Sequence, residues 1–138
     1  MSQSQLDVTT IDALIAAARD ASTRAYVPYS TFPVGAALLL PSGGIVTGCN
    51  VENVSYPLGV CAERNAVGKA VEQGEQLFHA VAVHAPKLPK CTPCGGCRQV
   101  LAEFHPKDRD LLVILDAPDG YEIVTLDYLL PRSFQGWE

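Results

Sequence analysis

The sequence predicts an α/β fold: a single three-layer α/β/α domain with a central mixed five-stranded sheet. Two observations point there. Short apolar runs alternate with segments of helical periodicity, which implies crossover connections and some parallel pairing. An early pair of apolar runs separated by Pro41-Ser42-Gly43-Gly44 adds an antiparallel hairpin. Length and composition agree. The chain has 138 residues, 48% hydrophobic and 18% charged, enough to bury one ordinary core and not the makeup of a disordered segment.

The elements follow in order. Residues 10–25 read as a helix, because Ile11, Leu14, Ile15, Ala18, Ala21 and Ala25 recur on one face and Thr9 or Thr10 can cap it. Residues 26–33 are a loop holding Pro28 and Pro33. Residues 34–40 and 45–50 form the hairpin. A helix runs from about residue 61 to 73, where Gly74 can end it. Residues 80–84 read as a buried strand, 86–93 as a loop, and 94–104 as a second short helix entered after a proline. Residues 111–115 are another buried strand, 123–124 a short one, and 126–130 a last helical turn before Pro131. No repeat, low-complexity tract or linker interrupts residues 1–138, which read as one domain. Both cysteine-bearing helices are expected to begin near the same edge of the sheet.

Charge and cysteine usage exclude several functions. The formal net charge of -5, with no basic run, argues against nucleic acid, whose phosphates are bound through cationic surfaces. An uncharged nucleoside suits it better than a nucleotide. No apolar run reaches the ~18 residues of a membrane span, and the polar stretch from Met1 to Asp7 lacks the features of a signal peptide. The expectation is a cytoplasmic protein without a membrane or nucleic-acid partner. Five cysteines, an odd number in a chain of this size, suggest metal binding or catalysis rather than disulfides.

The chemistry gathers in two segments, Cys61-Ala62-Glu63 and Pro93-Cys94-Gly95-Gly96-Cys97. Cys94 and Cys97 have the spacing of two thiolates on one ion, and the glycines between them let the backbone curl around it. Three thiolates leave one zinc position open, the arrangement of a catalytic site. Helix N-termini at both segments would favour the thiolate form. Glu63 follows Cys61 in the same turn, placed to face a bound water and move its proton. Spacing alone leaves a closed structural site equally open, with Cys91 as fourth ligand. A redox pair lacks the surrounding pattern, and the CxxCxxC run lacks the fourth cysteine and proline of an iron–sulfur motif.

The match extends well past these segments. Cys-Ala-Glu with Pro-Cys-x-x-Cys is similar to the three-cysteine zinc deaminase signature. The run from Ala25 through Tyr26-Val27-Pro28-Tyr29-Ser30-Thr31-Phe32-Pro33-Val34-Gly35 to Ala37 resembles the N-terminal segment of homotetrameric cytidine deaminases. So do Gly48-Cys49-Asn50-Val51-Glu52-Asn53, Tyr56-Pro57-Leu58-Gly59, Cys94-Gly95-Gly96-Cys97-Arg98-Gln99-Val100 and Leu129-Leu130-Pro131-Arg132-Ser133-Phe134. The resemblance covers roughly residues 10–134.

It implies zinc-dependent hydrolytic deamination of cytidine and 2′-deoxycytidine, in pyrimidine salvage, with one Zn²⁺ per chain. By the same resemblance Cys61, Cys94 and Cys97 are ligands and Glu63 the proton shuttle, while Cys91 is spare and Cys49 a core residue. Asn50 and Glu52 are implied to hold the ribose 3′-hydroxyl. Residues two apart in an extended segment share a side, and an amide beside a carboxylate can satisfy a hydroxyl as donor and acceptor. On the residues alone, a pair capping the turn after the strand is the stronger reading. Phe32, otherwise a core phenylalanine, is implied to pack on the pyrimidine. Tyr29 and Tyr56 fall where the family has binding-site tyrosines. Ala62 N–H and the Thr92 carbonyl are implied to orient the base. Arg64, otherwise a helix-surface arginine, is implied to offset the negative charge of the thiolates from outside the ligand set. Tyr56 and Phe134 are implied to reach a neighbouring subunit, in a homotetramer whose active sites are shared. Rival functions are deamination of another small base-like molecule, polynucleotide editing, and a non-catalytic zinc module.

Overall fold

The computed structural model describes residues 6–137, so most of the polar stretch 1–7 lies outside the described residues. Helix α1 spans Val8–Ser22, strands β1 and β2 span Gly35–Leu39 and Ile45–Cys49, and helix α2 spans Ala62–Glu72. Strand β3 (Ala80–His84), helix α3 (Gly95–Ala102), strands β4 (Leu112–Leu115) and β5 (Glu122–Thr125), and the short helix α4 (Leu126–Leu129) complete the chain. The sheet order is β2-β1-β3-β4-β5, with β3 and β4 parallel and every other pair antiparallel. This is the expected mixed five-stranded sheet.

Alternation along the strands creates two apolar faces. Ala37, Leu39, Ala80, Ala82, Leu112 and Ile114 face α1, which buries Ile11, Leu14 and Ile15 against them. Fully burying a side chain of this size contributes about 1.5–3 kcal/mol. Ala36, Leu38, Val81, Val83, Val113 and Leu115 point the other way, into a core shared with α2 and with Leu101 of α3. Helices therefore cover both faces, as a three-layer domain requires.

Two glycines set the close approaches. A Cβ on Gly35 would lie 1.9 Å from the Ala18 carbonyl oxygen, so α1 rests directly on the backbone of β1. A Cβ on Gly48 would lie 2.5 Å from both the Ala62 oxygen and the Ala66 nitrogen. The first turn of α2 is thus seated on β2, which fixes where Cys61 and Glu63 stand.

Three expectations need correction. The cap of α1 is Asp7, whose side chain accepts from Thr10 N–H at 2.8 Å, and not Thr9 or Thr10, which lie inside the helix. The helix stops at Ser22 rather than residue 25, because a tertiary tether takes the chain: Tyr26 N–H donates to Asn50 O at 3.0 Å and Glu52 N–H to Tyr26 O at 2.9 Å. The cysteine-bearing helices share an end of the sheet, not an edge. Strands β2 and β3 both run antiparallel to β1, so their C-terminal ends lie on the same side. Both chain segments leaving that end lead into cysteine-capped helices, the position at which open α/β sheets place their ligands.

Candidate metal centre and active site

Cys61 is the N-cap of α2 and Cys94 the N-cap of α3, with Cys97 one turn further and buried. Neither cap uses its side chain on its own helix, so both sulfurs are free to face each other. The Cys61 and Cys94 Sγ atoms are 3.8 Å apart, and those of Cys94 and Cys97 are 3.5 Å apart. Zn–S bonds of ~2.3 Å at a tetrahedral angle place sulfurs roughly 3.8 Å from one another. The donor set and its spacing fit zinc without rearrangement.

The three thiols share their protons. S–H donation from Cys97, with help from Cys94 and the Arg64 charge, outweighs burial and draws the Cys61 thiol down to about 6. Cys97 shifts upward, because its proton is held on Cys61 and its site is buried beside Glu63. Cys91 is outside this cluster. Its Sγ turns to the Thr92 carbonyl at 3.7 Å, and burial pushes its thiol up. Among the described residues, a closed four-cysteine site is therefore not formed.

Glu63 is 4% exposed. Burial raises its carboxyl to about 7, against a backbone hydrogen bond that lowers it, and the Cys61 thiolate adds to the rise. It lines a cavity of about 230 Å³ with Phe32, Asn50, Ala62, Cys91 and Thr92. Ala62 is the first helical residue, so its N–H has no intrahelical acceptor. Arg64 is exposed on the same turn, and its charge reaches Cys61.

Asn50 and Glu52 hold a loop. Asn50 Oδ1 accepts from Val34 N–H and its Nδ2 donates to the Phe32 carbonyl, both at 2.9 Å. Glu52 Oε1 accepts from Tyr29 and Ser30 N–H at 3.1 Å, bonds that with the Ser30 side chain hold its carboxyl below the usual range. This matches the turn-capping alternative, with both residues holding one loop. They nevertheless line different hollows. Glu52 lies with Tyr29 and Tyr56 in a groove of about 240 Å³, where the two rings are 5.7 Å apart. Tyr56 and Phe134 are 74% and 65% exposed. The structure thus brings Phe32, Asn50, Ala62, Glu63 and the cysteines together, sets Tyr29, Glu52 and Tyr56 in the adjoining groove, and leaves Phe134 outside both.

Sequence reading missed Arg98. Its Nε donates to Pro93 O at 2.7 Å, Nη1 to Leu129 O at 2.8 Å and Nη2 to Thr92 Oγ1 at 3.3 Å. It binds the cysteine loop to α4. The only signal was its place directly after Cys97. Asn65, which donates to Cys49 O at 2.9 Å, does the same for the entry to α2. A second grouping, His105, Asp110 and Asp127, has potential ligand atoms close together. Both its imidazole nitrogens are engaged, one by Pro106 O and one by Asp110 at 2.9 Å. It is an ion pair that ties the end of α3 to the start of β4.

The profile described as the cytidine and deoxycytidylate deaminase zinc-binding region matches residues 8–112. The chain belongs to that deaminase family. It is 53% identical over 125 residues to the cytidine deaminase of Sporosarcina psychrophila, covering 90% of each chain. It is 46% identical over 121 residues to that of Halalkalibacterium halodurans, covering 88% of this chain and 91% of the other. The crystal structure of cytidine deaminase from Burkholderia pseudomallei superposes with a TM-score of 0.82 at 42% identity, covering 89% of this chain and 98% of the other. The fold is the family's, and the three-thiol cluster could hold the zinc ion that the family's description names. Among the described residues, no helix is long and apolar enough to cross a membrane.

Proposed function

We propose that this protein hydrolyses the C4–amino bond of cytidine and 2′-deoxycytidine, giving the uridines and ammonia. The observation that carries the reading is the buried Glu63 carboxyl, held by the first turn of α2 beside a cluster of three thiols that Cys91 does not join. Relatives named as cytidine deaminases supply the substrate class.

Cys61, Cys94 and Cys97 hold the ion. Bound zinc would supply a Lewis acid that lowers the pKa of a water to about 7. Glu63 takes a proton from the attacking water and delivers it to N3 of the pyrimidine. It then carries a second proton to the amino group, and ammonia departs as water's oxygen becomes the C4 carbonyl. Ala62 N–H and the Thr92 carbonyl orient the base, and Phe32 packs on its face. Asn50 and Glu52 take the ribose 3′-hydroxyl with the capacity left after holding their loop. Arg64 offsets the charge of three thiolates on one Zn²⁺.

The exposure of Tyr56 and Phe134 supports a homotetramer in which these rings complete a neighbour's groove. The need for three reduced thiols supports a cytoplasmic setting. The test is zinc content together with the ultraviolet change on adding cytidine. About one zinc per chain and turnover abolished in Glu63→Gln are expected. Stoichiometric zinc with turnover of neither nucleoside sinks the reading and points to another small amino-substituted ring.

A further inference from the structure

Residues 85–93 leave β3 and enter α3, and their far end, Cys91 and Thr92, lines the cavity beside Glu63. Downstream, Arg98 secures Thr92 and Pro93. Upstream, Lys90 adopts a left-handed backbone with φ 54°, a conformation that a side-chain-bearing residue keeps only when its surroundings enforce it. The enforcing contact is Lys90 N–H donating to the carbonyl of Asp116 at 2.9 Å.

Asp116 is itself immobilised. Its side chain, 2% exposed, accepts two bonds from Arg19 on α1, at 2.7 and 2.9 Å, and one from His84 Nδ1 at 2.8 Å. Its N–H continues the sheet by donating to Val83 O at 3.1 Å. Burial disfavours the carboxylate, but Arg19 and then His84 prevail and hold it below the usual range. A planar guanidinium that engages a carboxylate through two bonds fixes direction as well as charge.

We propose that Asp116, clamped by Arg19 and His84, is a positioning residue for the substrate pocket: its backbone carbonyl sets Lys90, and through Lys90 the wall formed by Cys91 and Thr92. The chain of contacts runs from α1, on the opposite face of the sheet, to the cavity. The functional part of this inference rests on the proposed deamination; the structural part does not. A wall that touches substrate and transition state alike acts mainly through KM.

The test uses the zinc-loaded full chain. Amide hydrogen exchange at Lys90 and steady-state kinetics with cytidine are compared in wild type, Arg19→Met, Asp116→Asn and Arg19→Lys. His105→Gln serves as a control that breaks a different ion pair. In Arg19→Met and Asp116→Asn the Lys90 amide exchanges faster by about tenfold or more, while β3 and β4 keep their protection. KM rises by about fivefold with kcat within about twofold, Arg19→Lys recovers part of the loss, and His105→Gln leaves KM unchanged. Unchanged exchange at Lys90, loosening of β3 and β4 together with it, or a freed Lys90 amide with unaltered KM each overturn the proposal. Should Asp116→Asn fail to fold, Arg19→Met, altered at a half-exposed side chain, decides alone. A wild type that does not turn over cytidine refutes the deaminase reading, and the exchange result still stands or falls by itself.

Discussion

The floor of the cavity and its rim are built by different means. The floor is Cys61, Ala62, Glu63, Cys94 and Cys97, all within the first turns of two helices that start at one end of the sheet. Backbone constraints place it, Gly48 above all, and one chain completes it. The rim is Phe32, Asn50, Glu52, Tyr29 and Tyr56, carried on loops by side-chain bonds, with Tyr56 and the more distant Phe134 projecting outward. On the proposed reading, the difference means that chemistry and recognition depend on separate parts of the fold. A lesion in the floor removes rate or metal. A lesion in the rim changes affinity and breadth.

The strongest break is Glu63→Gln. Loss of the proton carrier lowers kcat by about 10⁴-fold with zinc retained, as read by single-turnover kinetics and metal analysis. A rate near wild type would remove Glu63 from the mechanism. Next is Cys94→Ala, which takes away one of the three proposed ligands that would join α2 to α3. Zinc is lost and the melting temperature falls; stoichiometric zinc in this variant would restore Cys91 as a ligand.

Gly48→Val asks whether the floor is set by backbone contact. The added side chain collides with Ala62 and Ala66 backbone atoms and costs about 1–3 kcal/mol of stability, read by denaturant unfolding of the zinc-bound protein. Asn50→Ala probes the rim. It frees Val34 N–H and Phe32 O, so KM for cytidine rises more than kcat falls, by about tenfold. An equal effect on cytosine lacking the sugar would assign Asn50 to the loop alone.

The smallest effect lies outside both regions. The His105 imidazole is held above its ordinary value: burial opposes the shift, and Asp110, Pro106 and Asp127 outweigh it. Because the folded state binds this proton more tightly, the pair stabilises the fold fully below about pH 6.5 and loses its contribution as pH rises through the higher folded value. The stability gap between wild type and His105→Gln, under about 1 kcal/mol for this partly exposed pair, closes between neutral and alkaline pH. A gap that widened over that range would contradict the shift.

Much of the floor was legible because local rules specify it. Apolar runs gave the buried strands, 3.6-residue spacing gave α1, and CxxC spacing with a glutamate two residues after Cys61 marked a candidate metal centre, which the family resemblance then singled out as catalytic. What escaped depends on distant partners. The path of the chain after Ser22 is set by the tether of Tyr26 to Asn50, together with local bonds from Ser22 and Thr23 to the last helical carbonyls. The Asp7 cap was missed because three polar candidates precede the periodic run, and only the backbone path distinguishes them. Arg98 stands beside Cys97, but its worth lies in carbonyls supplied by Pro93 and Leu129. The exclusion of Cys91 follows from the direction its thiol takes before α3 begins, which spacing does not encode.

Asn50 illustrates a constraint on how this pocket can diverge. Its amide already joins Val34 and Phe32, so, if Asn50 reads the sugar as proposed, a change that retunes sugar selectivity at this position also unhooks the loop that carries Phe32. Such a residue is pleiotropic, and selection for new sugars meets it as a barrier. The rings of Tyr29 and Tyr56 meet across the groove without holding that loop, and on the proposed reading they are positions along which substrate range can drift or be engineered.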